Sequence, residues 1–522
     1  MIGSGPIGAT YARRILEGDR EARVLMVDVG PEITARPGMN VRNIPEKDVQ
    51  DAARIASQGP RTTGVLGGGV PGGPPPVEGT FTARQGTHLI DDGGEHSGHA
   101  AGMPAAAVAT NVGGQGAHWT CATPRPVDNE RVDFIDDDEW EDLITEAEQL
   151  LHVKKDIFTS PITDAITRRL SQLFDEGRAP DRRVGTFPVA VDIEEDGSLN
   201  WVGTDTVLGP LIDSSSLLST RFELRPRTQA VRLLFDGARV RGAVVREFPD
   251  GDEYEVSADA IVVAADAIRT PQLLFASGIR PPALGRYLTE HPIILSMIAI
   301  RDDLLDDAAD TDHSDRAVFS TALGDAVTAA VRIPYIEETF PTSSQIMHMT
   351  ACPFPIPEDN PLAKSKYGYA AVGFGGLKFP RAEDGLVFSS EETDVFGMPN
   401  VTIEYELTPA EQELLESAKL AQAKAISALG QVVPGGEPRV APPGSSLHYM
   451  GTFRTGPEED GTSVVDPWSR VWGFDNLFLG GNGTIPTVNV VNPTLYSVAL
   501  ALRGARTLVR QLTAATTKEV VG

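Results

Sequence analysis

The sequence predicts an α/β fold in which a Rossmann-like domain is joined to a second domain rich in sheet. Three observations predict it. Near the N-terminus a glycine-rich turn is followed by a helical pattern and a short apolar run, the order expected of a βαβ unit. The succession of strand, turn and helix returns from Ile261 and again from Phe478. The block between them, roughly residues 294–406, is richer in strand patterns and proline.

The first element is the turn in MIGSGPIG, where Gly3, Gly5 and Gly8 spell G-x-G-x-x-G before a helical pattern. The apolar run RVLMVDV predicts a strand buried on both faces, and Asp28 lies at its end. A carboxylate there accepts hydrogen bonds from an adenosine ribose, while the glycines let the backbone approach a pyrophosphate. The pattern implies NAD or FAD without choosing between them. A solvated aspartate after a structural turn is the alternative.

The next elements also follow from local patterns. Residues 136–151 have the acidic amphipathic pattern of a helix, and VRLLFDGARVRGAVV predicts a hairpin because Asp-Gly separates two β-branched runs. A helix is predicted for residues 408–429, and a strand, a glycine-rich loop and a helix for 478–512. Residues 59–79 are too rich in glycine and proline for regular structure.

Composition excludes several classes of function. At 522 residues the chain favours two domains, and its formal net charge of −28 opposes binding to nucleic acid or to an anionic membrane. A neutral or cationic small substrate fits better. Cys121 and Cys352 are too few for a disulfide framework, and no secretion signal or apolar run of roughly 18 residues is present. We therefore expect a cytoplasmic protein without a membrane partner.

Two further segments carry candidate site residues. In NVGGQGAHWTCATPRP, glycines precede His118, Trp119 and Thr120, which indicates backbone lying close against a flat ligand. The alternative is a structural turn with a packed tryptophan. Near the C-terminus, Asn492 is predicted as the N-cap of a helix whose N-terminus stabilises negative charge on a cofactor, and His448 precedes it in HYMGTFRTG. The alternatives are capping alone and an interior histidine.

Together these motifs resemble one family. The segments are GSGPIGATYAR, GGQGAHWTCATPRP, AADAIRTPQLLFASGI with ALGRYLTEHP behind it, DVFGMPNVTIEYEL and GGNGTIPTVNVVNPT. They occur over nearly the whole chain in the order found in glucose-methanol-choline (GMC) oxidoreductases, within them the pyranose oxidase branch. The resemblance implies a Rossmann-like FAD-binding domain and a sheet-rich α+β substrate-binding domain, the p-hydroxybenzoate-hydroxylase-like architecture.

The resemblance also implies a division of the chain. The FAD-binding domain is discontinuous and takes residues 1–58, 100–150, 180–292 and 440–522. The substrate-binding domain takes residues 151–179 and 293–439. Residues 59–99 form a loop insertion, in which residues 64–79 are the candidate for a mobile flap at the entrance or for surface disorder. Because the chain is shorter than fungal pyranose oxidases, we expect an open site and a monomer or loose dimer.

The implied reaction is oxidation of a sugar ring hydroxyl by FAD. His448 is implied as the base and Asn492 as its partner, since an imidazole accepts a hydroxyl proton near neutral pH and an amide binds the same oxygen. The product is a ketone at carbon 3 of an O- or C-glycoside or at carbon 2 of free glucose, and dioxygen gives hydrogen peroxide. A dehydrogenase with a quinone acceptor is the alternative, followed by a non-catalytic flavin-binding or NAD-dependent protein.

The motifs and the resemblance together give the site residues. The cofactor-binding residues are Gly3, Gly5, Pro6, Ile7, Gly8, Asp28, Val29, Gly114, Gly116, His118, Trp119, Thr120, Ala230, Val231, Gly481, Asn482, Asn492 and Thr494. Substrate is expected at Gln345, His448 and Asn492, and no metal site is expected. His118 matches the histidine that carries covalent FAD in fungal pyranose oxidases, but Ala117 replaces their threonine, so covalent and non-covalent attachment both stay open.

One expectation concerns the first strand. Only Met1 and Ile2 precede Gly3, so the innermost strand of the sheet is predicted to be a stub. We expect a chain extended upstream in frame to hold FAD more tightly than this one.

Overall fold

The computed structural model describes residues 1–60, 83–158, 160–305, 327–353 and 355–521. The helices among them are α1 (Pro6–Gly18), α2 (Lys47–Ala56), α3 (Asp137–Leu150), α4 (Pro161–Phe174), α5 (Thr204–Leu208), α6 (Asp266–Ala276), α7 (Pro409–Leu429) and α8 (Thr494–Val521). None of these helices is long and apolar enough to cross a membrane.

The strands of the described residues fall into several sheets. They are β1 (Val24–Val27), β2 (His88–Leu89), β3 (Ala107–Val108), β4 (Val153–Lys154), β5 (Gly185–Thr186), β6 (Val189–Ile193), β7 (Leu199–Trp201), β8 (Phe222–Arg225), β9 (Thr228–Asp236), β10 (Arg239–Glu247), β11 (Glu253–Ser257), β12 (Ile261–Val263), β13 (Ile293–Ile300), β14 (Val327–Arg332), β15 (Ser343–Met349), β16 (Tyr369–Gly375), β17 (Gly385–Thr393), β18 (Pro399–Glu404), β19 (Gly430–Val432), β20 (Arg439–Val440) and β21 (Leu477–Leu479).

A parallel layer forms the centre of the molecule. Strand β1 lies parallel to β8, and β12 lies parallel to β21. Ile2 bridges both pairs: its N–H donates to the carbonyl of Val262 at 2.9 Å, and the N–H of Gly3 donates to that of Val27 at 2.9 Å. The innermost strand is therefore as short as predicted, but both of its edges are hydrogen-bonded and it joins the two pairs.

Both faces of this layer are covered. In β12, Val262 packs into the core beneath α1, α3 and α8, whereas Val263 packs into the core beneath α6 and the antiparallel sheet β9–β10–β11. On the first side Trp140 and Tyr496 meet edge to face with ring centroids 5.1 Å apart. The alternation follows from the two-residue period of a strand. In β1, Met26 packs into the first core and Val27 into the second, which confirms the prediction that this strand is buried on both faces.

The elements expected from local patterns are confirmed. The acidic pattern is α3, and the Asp-Gly hairpin is β9–β10 with Gly237 in the left-handed region at φ +57°. The helix predicted after residue 408 is α7, where Thr408 and Glu411 form a capping box.

A second, antiparallel sheet lies beside the central layer. Its order is β19–β13–β16–β15–β14–β5, and β20 also pairs with β13. One face packs against α4 and α7, where Ile294, Ile346 and Val372 are fully buried. The opposite face carries Leu295, which is exposed, and Gln345, which is partly buried. This sheet lies mainly in the block that the sequence predicts to be rich in strands.

Two elements make contacts that cross the predicted domain division. Strand β5 belongs by sequence to the FAD-binding segment but pairs with β14 of the antiparallel sheet. The β17–β18 hairpin belongs by sequence to the substrate-binding segment but packs against α6. These pairings join distant segments, and no local pattern encodes them. The division itself stays a prediction, and the stretch 64–79 lies outside the described residues.

Candidate active site

A cavity lies against the glycine-rich turn, the end of β1 and the N-terminus of α8. Most of the predicted site residues line it: Gly3, Gly5, Pro6, Ile7, Asp28, Val29, Gly114, His118, Trp119, Thr120, Ala230, His448, Gly481, Asn482, Asn492 and Thr494. Four others are not part of its lining: Gly8, Gly116, Val231 and Gln345. The cavity thus brings together segments from both ends of the chain.

The three glycines of the first motif have two kinds of environment. A Cβ on Gly3, at φ +97°, would lie 2.2 Å from the carbonyl oxygen of Ala264, and a Cβ on Gly8 would lie 2.2 Å from that of Gly3. Both glycines are therefore required by close backbone packing. A Cβ on Gly5 would meet only the carbonyl oxygen of Gly113 at 4.0 Å. Gly5 instead leaves open space in the cavity at the N-terminus of α1, where a pyrophosphate fits.

Asp28 is held in place beside this turn. One carboxylate oxygen accepts hydrogen bonds from the backbone N–H of Ser4 at 3.0 Å and its hydroxyl at 2.6 Å, and the other accepts the N–H of Gly30 at 2.9 Å. Burial raises the pKa of Asp28, while the hydrogen bonds from Ser4 and Gly30 lower it. The carboxylate is therefore held in a fixed position in the cavity wall, where it can act as an acceptor.

The second glycine-rich segment forms a tight turn against the first. Gly113 and Gly114 have φ of +91° and +51°. A Cβ on Gly116 would lie 2.2 Å from Oγ1 of Thr204, so this glycine serves packing and not the cavity. The indole N–H of Trp119 donates to the carbonyl of Val202 at 2.7 Å, which fixes the ring at the edge of the cavity.

His118 is neutral and keeps one ring nitrogen unprotonated. Its Nε2 lies 3.2 Å from Oδ1 of Asn111, whose amide nitrogen donates to the carbonyl of Val112 at 2.8 Å and therefore fixes Oδ1 as the acceptor. The proton of His118 is then on Nε2, and its buried Nδ1 has no partner among the described residues. Burial, with a smaller effect of Arg54, lowers the pKa of His118 to about 3.

His448 and Asn492 meet at the cavity wall. Nδ2 of Asn492 lies 3.5 Å from Nε2 of His448. The predicted capping role of Asn492 is wrong: α8 begins at Thr494, and its first carbonyl acceptor is that of Pro493, which receives the N–H of Ser497 at 2.9 Å. The side chain of Asn492 instead points to His448, because the backbone just before it is hydrogen-bonded to Glu130.

The loop before Asn492 is held by a buried carboxylate. Glu130 accepts the backbone N–H groups of Val490 and Val491 at 2.8 and 3.2 Å, and that of Val127 at 2.9 Å. Burial raises the pKa of Glu130 to about 7, against the lowering effect of these hydrogen bonds. Glu130 thereby anchors the loop before Asn492 to the segment around Val127.

Sequence reasoning missed the segment that holds His448. Thr289 and Met450 exchange two backbone hydrogen bonds of 3.0 Å each. Next to Thr289, the buried carboxylate of Glu290 accepts from the N–H of Gly444 at 2.6 Å and from both the N–H and the hydroxyl of Ser446 at 2.9 and 2.7 Å. The segment ALGRYLTEHP was part of the family resemblance, but its sequence does not indicate that it contacts residues 444–450, which lie far along the chain.

We expect Glu290→Ala to lower the free energy of unfolding by about 3 kcal/mol, because it leaves three buried donors without an acceptor. The measurement is the urea midpoint of the FAD-loaded protein. The matched control is Glu416→Ala, which removes an exposed glutamate from the surface of α7. Equal midpoints for the two variants would contradict a stabilising role of the Glu290 carboxylate.

The remaining predicted residues differ in whether they line the cavity. On β9, Gln229 and Ala230 line the cavity, whereas the next residue, Val231, does not. A Cβ on Gly481, at φ +127°, would meet only Phe453 Cζ at 3.8 Å, so the backbone stays open to the cavity. The amide of Gln345 lies 3.4 Å from Sδ of Met347, on the partly exposed face of the antiparallel sheet. Arg84, Gln85 and Arg269 also line the cavity and were missed.

The fold is that of an oxidoreductase with a dinucleotide cofactor, and an imidazole–amide pair lies in the wall of the cavity. Models of the GMC oxidoreductase family match residues 216–293 and 380–501. The chain belongs to the GMC oxidoreductase family, whose members are FAD-binding flavoenzymes.

Known proteins extend this similarity over the full chain. The sequence is 38% identical over 518 residues to a C-glycoside 3-oxidase of Microbacterium trichothecenolyticum, covering 98% of this chain and 96% of that protein. It is 31% identical to a pyranose 2-oxidase of Tricholoma matsutake, covering 98% and 93%. The structure resembles pyridoxine 4-oxidase from Mesorbium loti with a TM-score of 0.64 at 18% identity, covering 97% and 98%, which supports the fold alone.

Proposed function

We propose that this protein is an FAD-dependent oxidase that converts a ring hydroxyl of a glycoside to a ketone and reduces dioxygen to hydrogen peroxide. The observation that carries the proposal is the His448–Asn492 pair in the wall of a dinucleotide cavity. Carbon 3 of a glycoside is favoured over carbon 2 of free glucose because identity to the C-glycoside 3-oxidase is 38% and to the pyranose 2-oxidase 31%.

The residues present fit FAD. The open space at Gly5 and the N-terminus of α1 would hold the pyrophosphate, and the fixed carboxylate of Asp28 would accept from the ribose. The N-terminus of α8 at Thr494 would face the flavin and stabilise negative charge. His118 offers an unprotonated Nδ1 in the same cavity, so we keep covalent attachment as a proposal only. When bound, FAD supplies the acceptor for the substrate's hydride and the reactivity toward dioxygen.

The protein's own part in the reaction is proton transfer and orientation. His448 and Asn492 both line the cavity, and Nε2 of His448 lies 3.5 Å from Nδ2 of Asn492. In the proposed reaction the imidazole takes the proton of the substrate hydroxyl, and the amide N–H donates to the same oxygen and holds it near Nε2. Gln345 is proposed to contact the sugar from the antiparallel sheet, which requires the substrate to extend beyond the cavity lining.

We expect the reaction to stay fast below the pH at which an ordinary histidine gains its proton. Burial, with smaller effects of His291 and Arg84, holds the pKa of His448 well below 6.5. The imidazole must be neutral to act as a base. A lowered pKa therefore shifts the fall of kcat/KM on the acid side to lower pH. We expect kcat/KM to be level from mildly alkaline pH to below about 6.5 and to fall only at lower pH. A fall centred at pH 7 or above would contradict this.

The test of the proposed function is a panel of free sugars and of O- and C-glucosides. We expect the yellow flavin absorbance to bleach anaerobically with a glucoside and hydrogen peroxide to form in air, with a carbonyl at carbon 3 in the product NMR spectrum. Quinone reduction without peroxide would instead show a dehydrogenase. The absence of bleaching by every sugar would overturn the proposal, including the location of the site.

The remaining expectations about partners and location stay proposals. We propose a monomer or loose dimer in the cytoplasm, supported by the chain being shorter than fungal pyranose oxidases and by the composition given above. Size-exclusion chromatography with light scattering tests the oligomeric state.

A further inference from the structure

A second imidazole lies behind the proposed base, on the side away from Asn492. Nδ1 of His291 is 3.0 Å from Nδ1 of His448, and the ring centroids are 4.8 Å apart with an angle of 71° between the planes. His291 is buried, 6% exposed, and is not part of the cavity lining. It therefore contacts the base without reaching the space where substrate and cofactor are proposed to bind.

The contact between the two imidazoles selects a proton arrangement. Two neutral rings that meet through their Nδ1 atoms need one proton between them, so one ring carries Nδ1–H and the other presents a lone pair. If His291 carried this proton, that of His448 would be on Nε2, and the base would have no lone pair facing Asn492. If His448 carries it, Nε2 is free to accept a proton. Only the second arrangement makes His448 a base.

The neighbours of the pair are consistent with the second arrangement. Asn489 presents side-chain and backbone oxygens to the His291 ring, and these favour a proton on it, although none meets Nε2 with full hydrogen-bond geometry. With His448 as donor, the proton of the neutral His291 ring is on Nε2. Besides burial, His291 and Arg84 lower the pKa of His448. The carboxylate of Glu290 accepts from the hydroxyl of Ser446, which in turn accepts the backbone N–H of His448, so this contact reaches the main chain and not the ring.

We infer that His291 is a positioning residue for the proposed oxidation: its Nδ1 accepts the Nδ1–H of His448, fixes the tautomer whose Nε2 is the base, and stays hydrogen-bonded when that base gains the hydroxyl proton. This inference rests on the proposed function. The proton balance is simple, because the hydroxyl proton moves to Nε2 of His448 and no proton leaves the pair. In the Ser-His-Asp arrangement a carboxylate accepts the Nδ1–H of the catalytic histidine, and here Nδ1 of His291 takes that place.

The test compares two substitutions in the FAD-loaded enzyme. His291→Asn keeps an acceptor near the position of Nδ1, whereas His291→Leu removes it. We expect the rate of anaerobic flavin bleaching by a glucoside to fall about 10- to 100-fold in the leucine variant and to be largely kept in the asparagine variant. KM, flavin content and melting temperature should change little. His348→Leu, at a buried histidine on the helix-covered face of β15, is the matched control.

A second measurement does not depend on turnover or on the variants folding. Imidazole spectra of the wild-type protein labelled with ¹⁵N-histidine report which nitrogen of each ring carries a proton. We expect His448 to carry it on Nδ1 and His291 on Nε2. A proton on Nε2 of His448, or an unchanged bleaching rate in a folded His291→Leu enzyme, would overturn the inference. If no sugar bleaches the wild type, the proposed function fails, while the spectra still decide the role of His291.

Discussion

His448→Ala is expected to lower the rate of anaerobic flavin bleaching by a glucoside about 10²- to 10⁴-fold, the contribution typical of a general base. The reason is geometric as well as chemical. His448 lines the cavity with its Nε2 3.5 Å from Nδ2 of Asn492, and a pKa well below 6.5 keeps the ring neutral near neutral pH. Alanine removes the proton acceptor and leaves only water to take the hydroxyl proton.

The stopped-flow bleaching rate measures this effect, and flavin content serves as the control for folding. The main-chain contacts of the segment remain, since Met450 pairs with Thr289 and Ser446 with Glu290 irrespective of the imidazole. We therefore expect the variant to retain FAD. A variant that bleaches as fast as the wild type would show that another group takes the proton and that the base is wrongly assigned.

Gly5→Val is expected to weaken FAD binding about 10- to 100-fold with little loss of folding stability. At this position the added side chain would enter the open space at the N-terminus of α1, because a Cβ there meets only the oxygen of Gly113 at 4.0 Å. A close contact forced between a side chain and a ligand costs about 1–3 kcal/mol, which corresponds to that change in affinity. The measurement is flavin retained per protein after dialysis.

The chain offers a matched control and a contrasting variant. At Gly185 on β5 a Cβ would meet only an oxygen of Arg183 at 3.9 Å, so Gly185→Val should leave flavin content unchanged. Gly8→Ala places its Cβ 2.2 Å from the oxygen of Gly3 and should lower the melting temperature. If Gly5→Val retained flavin as well as Gly185→Val does, the pyrophosphate would lie elsewhere in the cavity.

The parts of the site that the sequence predicted are local ones. The spacing of Gly3, Gly5 and Gly8 describes one turn, and each glycine has the environment that such a turn requires. Asp28 could also be placed from local sequence, because it ends the apolar run that predicts the next strand. The resemblance to a family added His448 and Asn492, which no local pattern could place together.

The parts that the sequence missed depend on contacts between distant segments. His291 and His448 are 157 positions apart, and a histidine beside a glutamate has no periodic signal of its own. Asn492 shows the converse error: Asn-Pro is a strong local signal for a helix start, yet the loop held by Glu130 directs the side chain to His448. At Asn492 a tertiary contact overruled the local preference, whereas at His291 there was no local signal to overrule.

The segment Thr289–His291 has a consequence for recombining this enzyme with its relatives. It aligns the main chain at Met450, holds Gly444 and Ser446, and meets the ring of His448. A chimaera that imports residues 440–522 but keeps its own residues 289–291 would combine a base from one parent with a support from the other. These two stretches therefore form the smallest unit to exchange together, and a crossover between them should cost activity even where both parents fold.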